Sequence, residues 1–397
     1  MSGLAPLDTR TRRVLALVSV IVLVDTSFYA AITPLLPYYA EQLDLSKASA
    51  GVLAGSYAAG TVVASLPMAW LASRIGAQRG LALGLILLAV SSLTFGLANE
   101  LWLLDTARFV QGVGGAATWT AGLALLTAAA PGSRRAEILG TAFAAAVGGA
   151  LLGPVVGALG RAIGTAAVFG AVAAVAVGLL VVTVGRSVSA LAPAQREKVT
   201  AGFAAAFRQR QIARGSWIIA ISGLAFGVLD VLLPLKMGVL GASGALIAAT
   251  FVGATALETA ISRPVGRLAD RGRSEQIALF GLLSAAGLSL VASLPASVAG
   301  LVVVGVAAGP MIGGLWIPGL AWLAEGSEHG GIEYAYAFGI QSFLWSGAQA
   351  IGSGLGGALA HSATDFVAYG LVTACALATA VVITRTRTPA PASGRVL

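Results

Sequence analysis

The chain alternates long apolar runs with short polar stretches, and the lengths of the runs set the first expectation. Crossing about 30 Å of hydrocarbon takes roughly 20 apolar residues as a helix. Twelve runs reach that scale, near 14–37, 48–72, 79–98, 101–128, 137–160, 162–184, 215–240, 244–268, 276–294, 298–323, 334–360 and 364–384. The third, ninth and twelfth are placed mainly by their polar flanks. The pattern predicts an all-α polytopic membrane protein with twelve transmembrane helices.

The longest hydrophilic stretch, 185–214, divides the chain into two six-helix bundles, 1–184 and 215–397. Within it Phe203 and Phe207 stand four residues apart, followed by Arg208, Arg210 and Arg214. That spacing fits an amphipathic helix on the inner membrane surface. A flexible basic linker fits the same residues equally well. A duplication supports the division. A shift of 197 places Pro37 on Pro234, Pro67 on Pro264, Leu71 on Leu268, Arg74 on Arg271, Gly112 on Gly309, Trp119 on Trp316 and Gly122 on Gly319. Two six-helix repeats with a site between them at mid-membrane are a transporter architecture.

Composition agrees: 57% of the 397 residues are hydrophobic and 10% charged, against roughly one quarter charged in a soluble domain. The net charge of +8 is spread over short segments between apolar runs, so it reads as topology and not as nucleic-acid binding. With the N-terminus inside, that side collects Arg10, Arg12, Arg13, Arg74, Arg79, Arg134, Arg135, the six basic residues from Arg186 to Arg214, Arg267, Arg271, Arg273, Arg385, Arg387 and Arg395. The other side receives Lys47, Arg161 and Lys236. Both termini are therefore expected in the cytoplasm, and the first run is expected to stay as helix 1, since no cleavage pattern follows it. The loop with Glu325, Glu328 and Glu333 dissents, although acidic residues weigh little here. Cys375 has no intrachain partner, and His329 and His361 lack an acidic or cysteine cluster, so no metal site is expected.

The segment from Gly140 to Ala158 carries Gly149, Gly153 and Gly157 at four-residue spacing beside Pro154. Small residues at that interval let a neighbouring membrane helix come close. With Gly140 in register, the pattern resembles the antiporter motif of helix 5 in major facilitator superfamily drug/proton exporters. Ala158 stands where that family usually has glycine. Generic tight packing is the plainer account of the spacing alone.

Charged residues inside the runs are the candidates for chemistry. Asp25 lies twelve residues before Pro37, about 18 Å along a helix and so near the bilayer centre. A carboxyl there must face a cavity, pair with a cation or carry a proton. Its place nine residues ahead of PLLP resembles helix 1 of tetracycline and vesicular-amine type exporters. A permanently paired carboxylate is the alternative. Arg108 and Gln111 lie in LLDTARFVQGVGGAA, similar to the family's helix 4 motif LxxxRxxQGxxxA. We expect Arg108 to tune Asp25 or to order a proton-carrying network, a local pair with Asp105 being the alternative. Glu258, with no basic residue one turn away, is the second carboxyl expected to take up protons, and Asp230 a shallower third.

The family's cytoplasmic gate, GxLaDRxGRR, resembles AWLASRIGAQR, where Ser73 replaces the aspartate beside Arg74 and Gly76. It also resembles GRLADRGRS, which keeps Asp270 and Arg271 with one residue fewer before the glycine. Loop solvation accounts for either copy equally well. Gln341, Trp345 and Gln349 share a stripe on helix 11 that suits a cavity wall or interhelical hydrogen bonds. Tyr29, Tyr57, Trp119 and Trp316 suit stacking on a lipophilic or cationic ligand, or plain core packing.

The resemblance implies a monomeric proton-coupled exporter of small molecules in the inner membrane, with the proton gradient and no cofactor as its energy source. No Walker-type GxxxxGK[ST] is present for ATP. An importer or facilitator of a metabolite on the same fold is the runner-up. A membrane enzyme or a non-transporting receptor would need a catalytic cluster or an added soluble domain.

Overall fold

The computed structural model describes residues 7–130, 134–185, 199–294, 296–332 and 334–385. Among them the chain is helical, with no strand. The first span is split into α1 (Thr9–Ala30) and α2 (Ile32–Gln42). It is followed by α3 (Lys47–Ile75), α4 (Ala77–Leu97), α5 (Leu101–Ala129), α6 (Arg135–Ile163) and α7 (Thr165–Gly185). A short α8 (Val199–Arg208) precedes α9 (Arg210–Val239), α10 (Gly244–Leu268) and α11 (Ser274–Ala292). The tenth span is split into α12 (Val298–Gly313) and α13 (Trp316–Gly330), ahead of α14 (Tyr334–Ser362) and α15 (Asp365–Arg385).

Among the described residues ten segments are long and apolar enough to cross a membrane, and that from Gly244 to Ala292 contains both α10 and α11. Adding α14, whose 29 residues include buried glutamines and serines, gives the twelve spans expected. Outward rows are apolar and exposed, as at Val63, Val181, Val303 and Phe280, which is what hydrocarbon requires. Proline explains the first break: Pro34 has no N–H for the Ala30 carbonyl, and the chain steps over with a tighter bond from Ala31 N–H to Phe28 O at 3.3 Å.

The repeat is visible in the packing. Ser46 caps α3 and Ser243 caps α10, each through its side-chain oxygen. Asp44 and Gly241, just ahead of these caps, both hold positive φ, at 47° and 84°. Gly112 lies against the Tyr57 carbonyl as Gly309 lies against that of Ala254, and Gly84 meets Thr118 as Gly281 meets Leu315. The two halves meet along α2 and α9, α3 and α14, and α6 and α10.

They are fastened most tightly at the end away from the termini. There Lys47 pairs with Asp365 at 2.5 Å, Pro37 packs on Gly238, and the Lys47 carbonyl packs on Gly357. Near the termini the halves touch through Phe143 on α6 and Phe338 on α14, ring centroids 5.3 Å apart. The linker helix α8 does not lie with both phenylalanines outward. Phe203 packs on Tyr336 of α14 at 5.2 Å, whereas Phe207 is 64% exposed.

Candidate functional site

A cavity of about 280 Å³ opens between the halves, lined by Tyr29, Thr33, Pro154, Asp230 and Glu258 among others. A second, of about 210 Å³, adjoins it, shares Asp230 and Glu258, and reaches Gly313, Trp316 and Trp345. Two acidic side chains and no lysine or arginine line either space.

Arg108 on α5 is fully buried beside this region. Its guanidinium donates to Gln111 Oε1 at 2.6 Å, to the Tyr29 carbonyl at 3.2 Å and to the Phe28 carbonyl at 3.4 Å. The rings of Tyr57, Tyr29 and Phe28 stand 5.3, 5.9 and 6.0 Å from its Cζ. Arginine has to keep its charge and fill its fork of donors, so it ties α5 to α1 through main-chain carbonyls. Its partner is Gln111 and not Asp105, whose Oδ1 is buried without a hydrogen bond. No carboxylate reaches ion-pair distance of Arg108 among the described residues.

Asp25 is also fully buried. It feels Trp119, Arg108 and Tyr57, and neither of its oxygens has a hydrogen bond of good geometry. It faces the interior of the N-terminal half, screened from both cavities. Asp230 is the carboxyl that meets the other half: Thr33 Oγ1 donates to its Oδ1 at 2.6 Å. Tyr29, stacked on Tyr57 with centroids 4.6 Å apart, accepts a hydrogen bond from Gln349 Nε2. Arg108 is thus one residue's width from a polar seam between the halves.

On α14, Gln341 is buried with both amide atoms unpartnered, while Trp345 stands 5.8 Å from Trp316. The expected stripe is therefore divided between cavity wall and interhelical bonding. Trp119 packs on Phe143 at 5.6 Å, behind Asp25. The α6 glycines let α1 come close: Gly149 rests on the Leu23 carbonyl, Gly153 on that of Ser27 and Gly157 on that of Ala31. Pro154 lines the cavity, but Gly140 faces open space. At the gate turns Gly76 and Gly272 hold φ of +91° and +77°, which favours glycine. Arg74 stacks on Trp70 at 4.2 Å, Asp270 and Arg271 are exposed without an ion pair among the described residues, and the Ser73 side chain lies outside them.

A family model, the Major Facilitator Superfamily, matches residues 15–332. The chain belongs to that superfamily. This chain is 27% identical over 340 residues to an uncharacterized MFS-type transporter, YcaD, of Escherichia coli O17:K52:H18 (strain UMN026 / ExPEC), covering 81% of this chain and 83% of that one. It is 32% identical to the MFS-type transporter ppzB of Metarhizium majus (strain ARSEF 297) over 139 residues, 34% of this chain and 30% of that relative. Its fold matches a bacterial homolog of the human lysosomal transporter Spinster, inward-facing and unoccupied, with TM-score 0.71, 16% identity and 96% of each chain covered. It also matches a POT family transporter in complex with 5-aminolevulinic acid, with TM-score 0.73, 15% identity and coverage of 94% and 96%.

Three features of this transporter lay outside the sequence reading. Thr33 as a cross-half hydrogen-bond donor had no signal beyond being polar in an apolar run. Gly352 and Gly356 on α14 repeat the motif of α6, resting on the Leu224 carbonyl and on Val228 of α9. Their shift is 199 (352 minus 153) and not 197, so an ungapped comparison misses them. The break in the tenth span was signalled by Pro310 and Pro318 flanking Gly313 and Gly314.

Proposed function

We propose that this transporter is a proton-coupled exporter of small lipophilic or cationic molecules, a monomer in the cell membrane that works by alternating access with both termini cytoplasmic. The observation that supports it is the place of Glu258 on the cavity wall, with Asp25 and Asp230 buried near Arg108 and no ion pair among these four in the state described. A carboxyl that is neither paired nor exposed to lipid is free to exchange a proton for a substrate as the cavity changes sides. The close fastening at the end away from the termini corresponds to a state closed toward the outside. In the cycle, a carboxyl protonated from the outside lets the halves rock, and proton release inside makes room for substrate.

The test is gradient-driven transport in everted vesicles, where export appears as uptake into the lumen, with an imposed pH gradient and a panel of fluorescent lipophilic cations and neutral dyes. Asp25→Asn and Glu258→Gln are expected to abolish gradient-driven movement while substrate exchange without a gradient persists. Gradient-driven efflux unaltered in both variants rules the mechanism out. Movement in the opposite direction under the same gradient establishes an importer.

A further inference from the structure

The tenth span is two half-helices, because α12 ends at Gly313 and α13 begins at Trp316. Pro310 and Pro318 bracket the break, and neither can donate an N–H, so the carbonyls of Val306 and Gly314 lose their helical partners. Across the gap the ladder keeps one ordinary bond, Gly314 N–H to Pro310 O at 3.0 Å, and one tighter one, Leu315 N–H to Ile312 O at 3.3 Å. The last carbonyls of α12, with the negative end of its dipole, therefore lie within the membrane interior. Irregular backbone at that depth is tolerated where it lines a cavity, and this break borders the smaller one.

Glu258 of α10 reaches the same point. Its carboxyl fills the space that a side chain at position 313 would need, since a Cβ there would overlap Oε1. It has no hydrogen bond or ion pair among the described residues, and no charged group acts on it. Asp230 lines the same cavity, and the Trp316 and Trp345 rings meet edge to face at 68° beside it. Carboxylate, helix C-terminus and aromatic faces all attract positive charge. Divalent ions require a richer set of oxygen ligands, and no group of three His, Cys, Asp or Glu is assembled among the described residues.

We propose that Glu258 and the broken tenth span form a subsite for a monovalent cation, either Na⁺ or the ammonium group of a transported molecule. This rests on reading the cavity as the translocation site. Gly313 is then a positioning residue that leaves room for the carboxylate.

The test uses the full chain in nanodiscs, titrated with NaCl or benzyltrimethylammonium chloride against N-methylglucamine chloride at constant ionic strength. Binding is read by tryptophan fluorescence and by thermal midpoint. A saturable response to Na⁺ identifies an inorganic ion, and one to benzyltrimethylammonium identifies a substrate group. In either case Glu258→Gln and Gly313→Ala each lower apparent affinity at least tenfold, the second while the carboxylate is still present. Glu258→Asp, which keeps the charge but shortens the reach, replaces Glu258→Gln if that variant does not fold. No saturable response to either salt, or titrations unchanged in the folded variants, overturns the proposal. Binding is read without a gradient, so a cation response without proton-driven efflux rejects only the transport mechanism.

Discussion

Thr33 Oγ1 donates a 2.6 Å hydrogen bond to Asp230 Oδ1, and the two residues are 197 positions apart, the same shift that superposes the halves. A residue that touches its own repeat mate lies on the pseudo-two-fold axis, as at any isologous contact. The bond therefore lies on the axis between the halves, and a separation of the halves at that point would break it. A buried bond to a charged acceptor is worth about 1.5–3 kcal/mol. Thr33→Val keeps the volume and removes the donor, so it shifts the ratio of closed to open forms roughly tenfold to a hundredfold toward opening at that end. Spin labels at Glu41 and Val239, both exposed, will report a longer distance population in the variant.

Arg108 holds α1 through two main-chain carbonyls and Gln111 through its side chain. Lysine supplies a charge but not the planar fork. Arg108→Lys is expected to lower gradient-driven transport more than tenfold with the protein still folded, and Gln111→Ala to lower it less. Transport in proteoliposomes beside size-exclusion profiles separates the two effects.

The glycines of α6 divide by what they touch. A side chain at Gly157 would collide with the Ala31 carbonyl, whereas one at Gly140 meets nothing within 4 Å. Overpacking of a close contact costs about 1–3 kcal/mol. Gly157→Val should lower the thermal midpoint by several degrees and impair transport, Gly356→Val should do the same through α9, and Gly140→Ala should be neutral in both assays.

Asp8 caps α1 by accepting from Thr11 N–H at 2.8 Å, and its bonds from Thr11 hold its pKa below the ordinary carboxylate value. A lowered folded-state pKa adds stability above the ordinary carboxylate pKa and loses it as pH falls through the lowered one. Protection factors of the amides in the first turn of α1, taken relative to the intrinsic exchange rate at each pH, should therefore fall on acidification below pH ~4, and Asp8→Ala should show the lower protection at neutral pH already.

Run length and repeat shift by themselves determined the all-helical membrane fold and pointed to twelve spans in two halves. Hydrocarbon thickness dictates the first, and duplicated packing dictates the second: Gly112 and Gly309 leave the same room for repeat-related carbonyls, those of Tyr57 and Ala254. The glycine spacing of α6 was readable for the same reason, since close approach leaves a periodic trace. What a charged side chain faces leaves no such trace. Only tertiary structure decided that Arg108 turns to main-chain carbonyls and not to Asp105, and that Asp25 is enclosed within one half while Asp230 reaches across the axis. It alone brought Glu258 to the broken tenth span. Those choices depend on how helices distant in the chain rotate against each other, and a few degrees of rotation move a side chain from core to cavity.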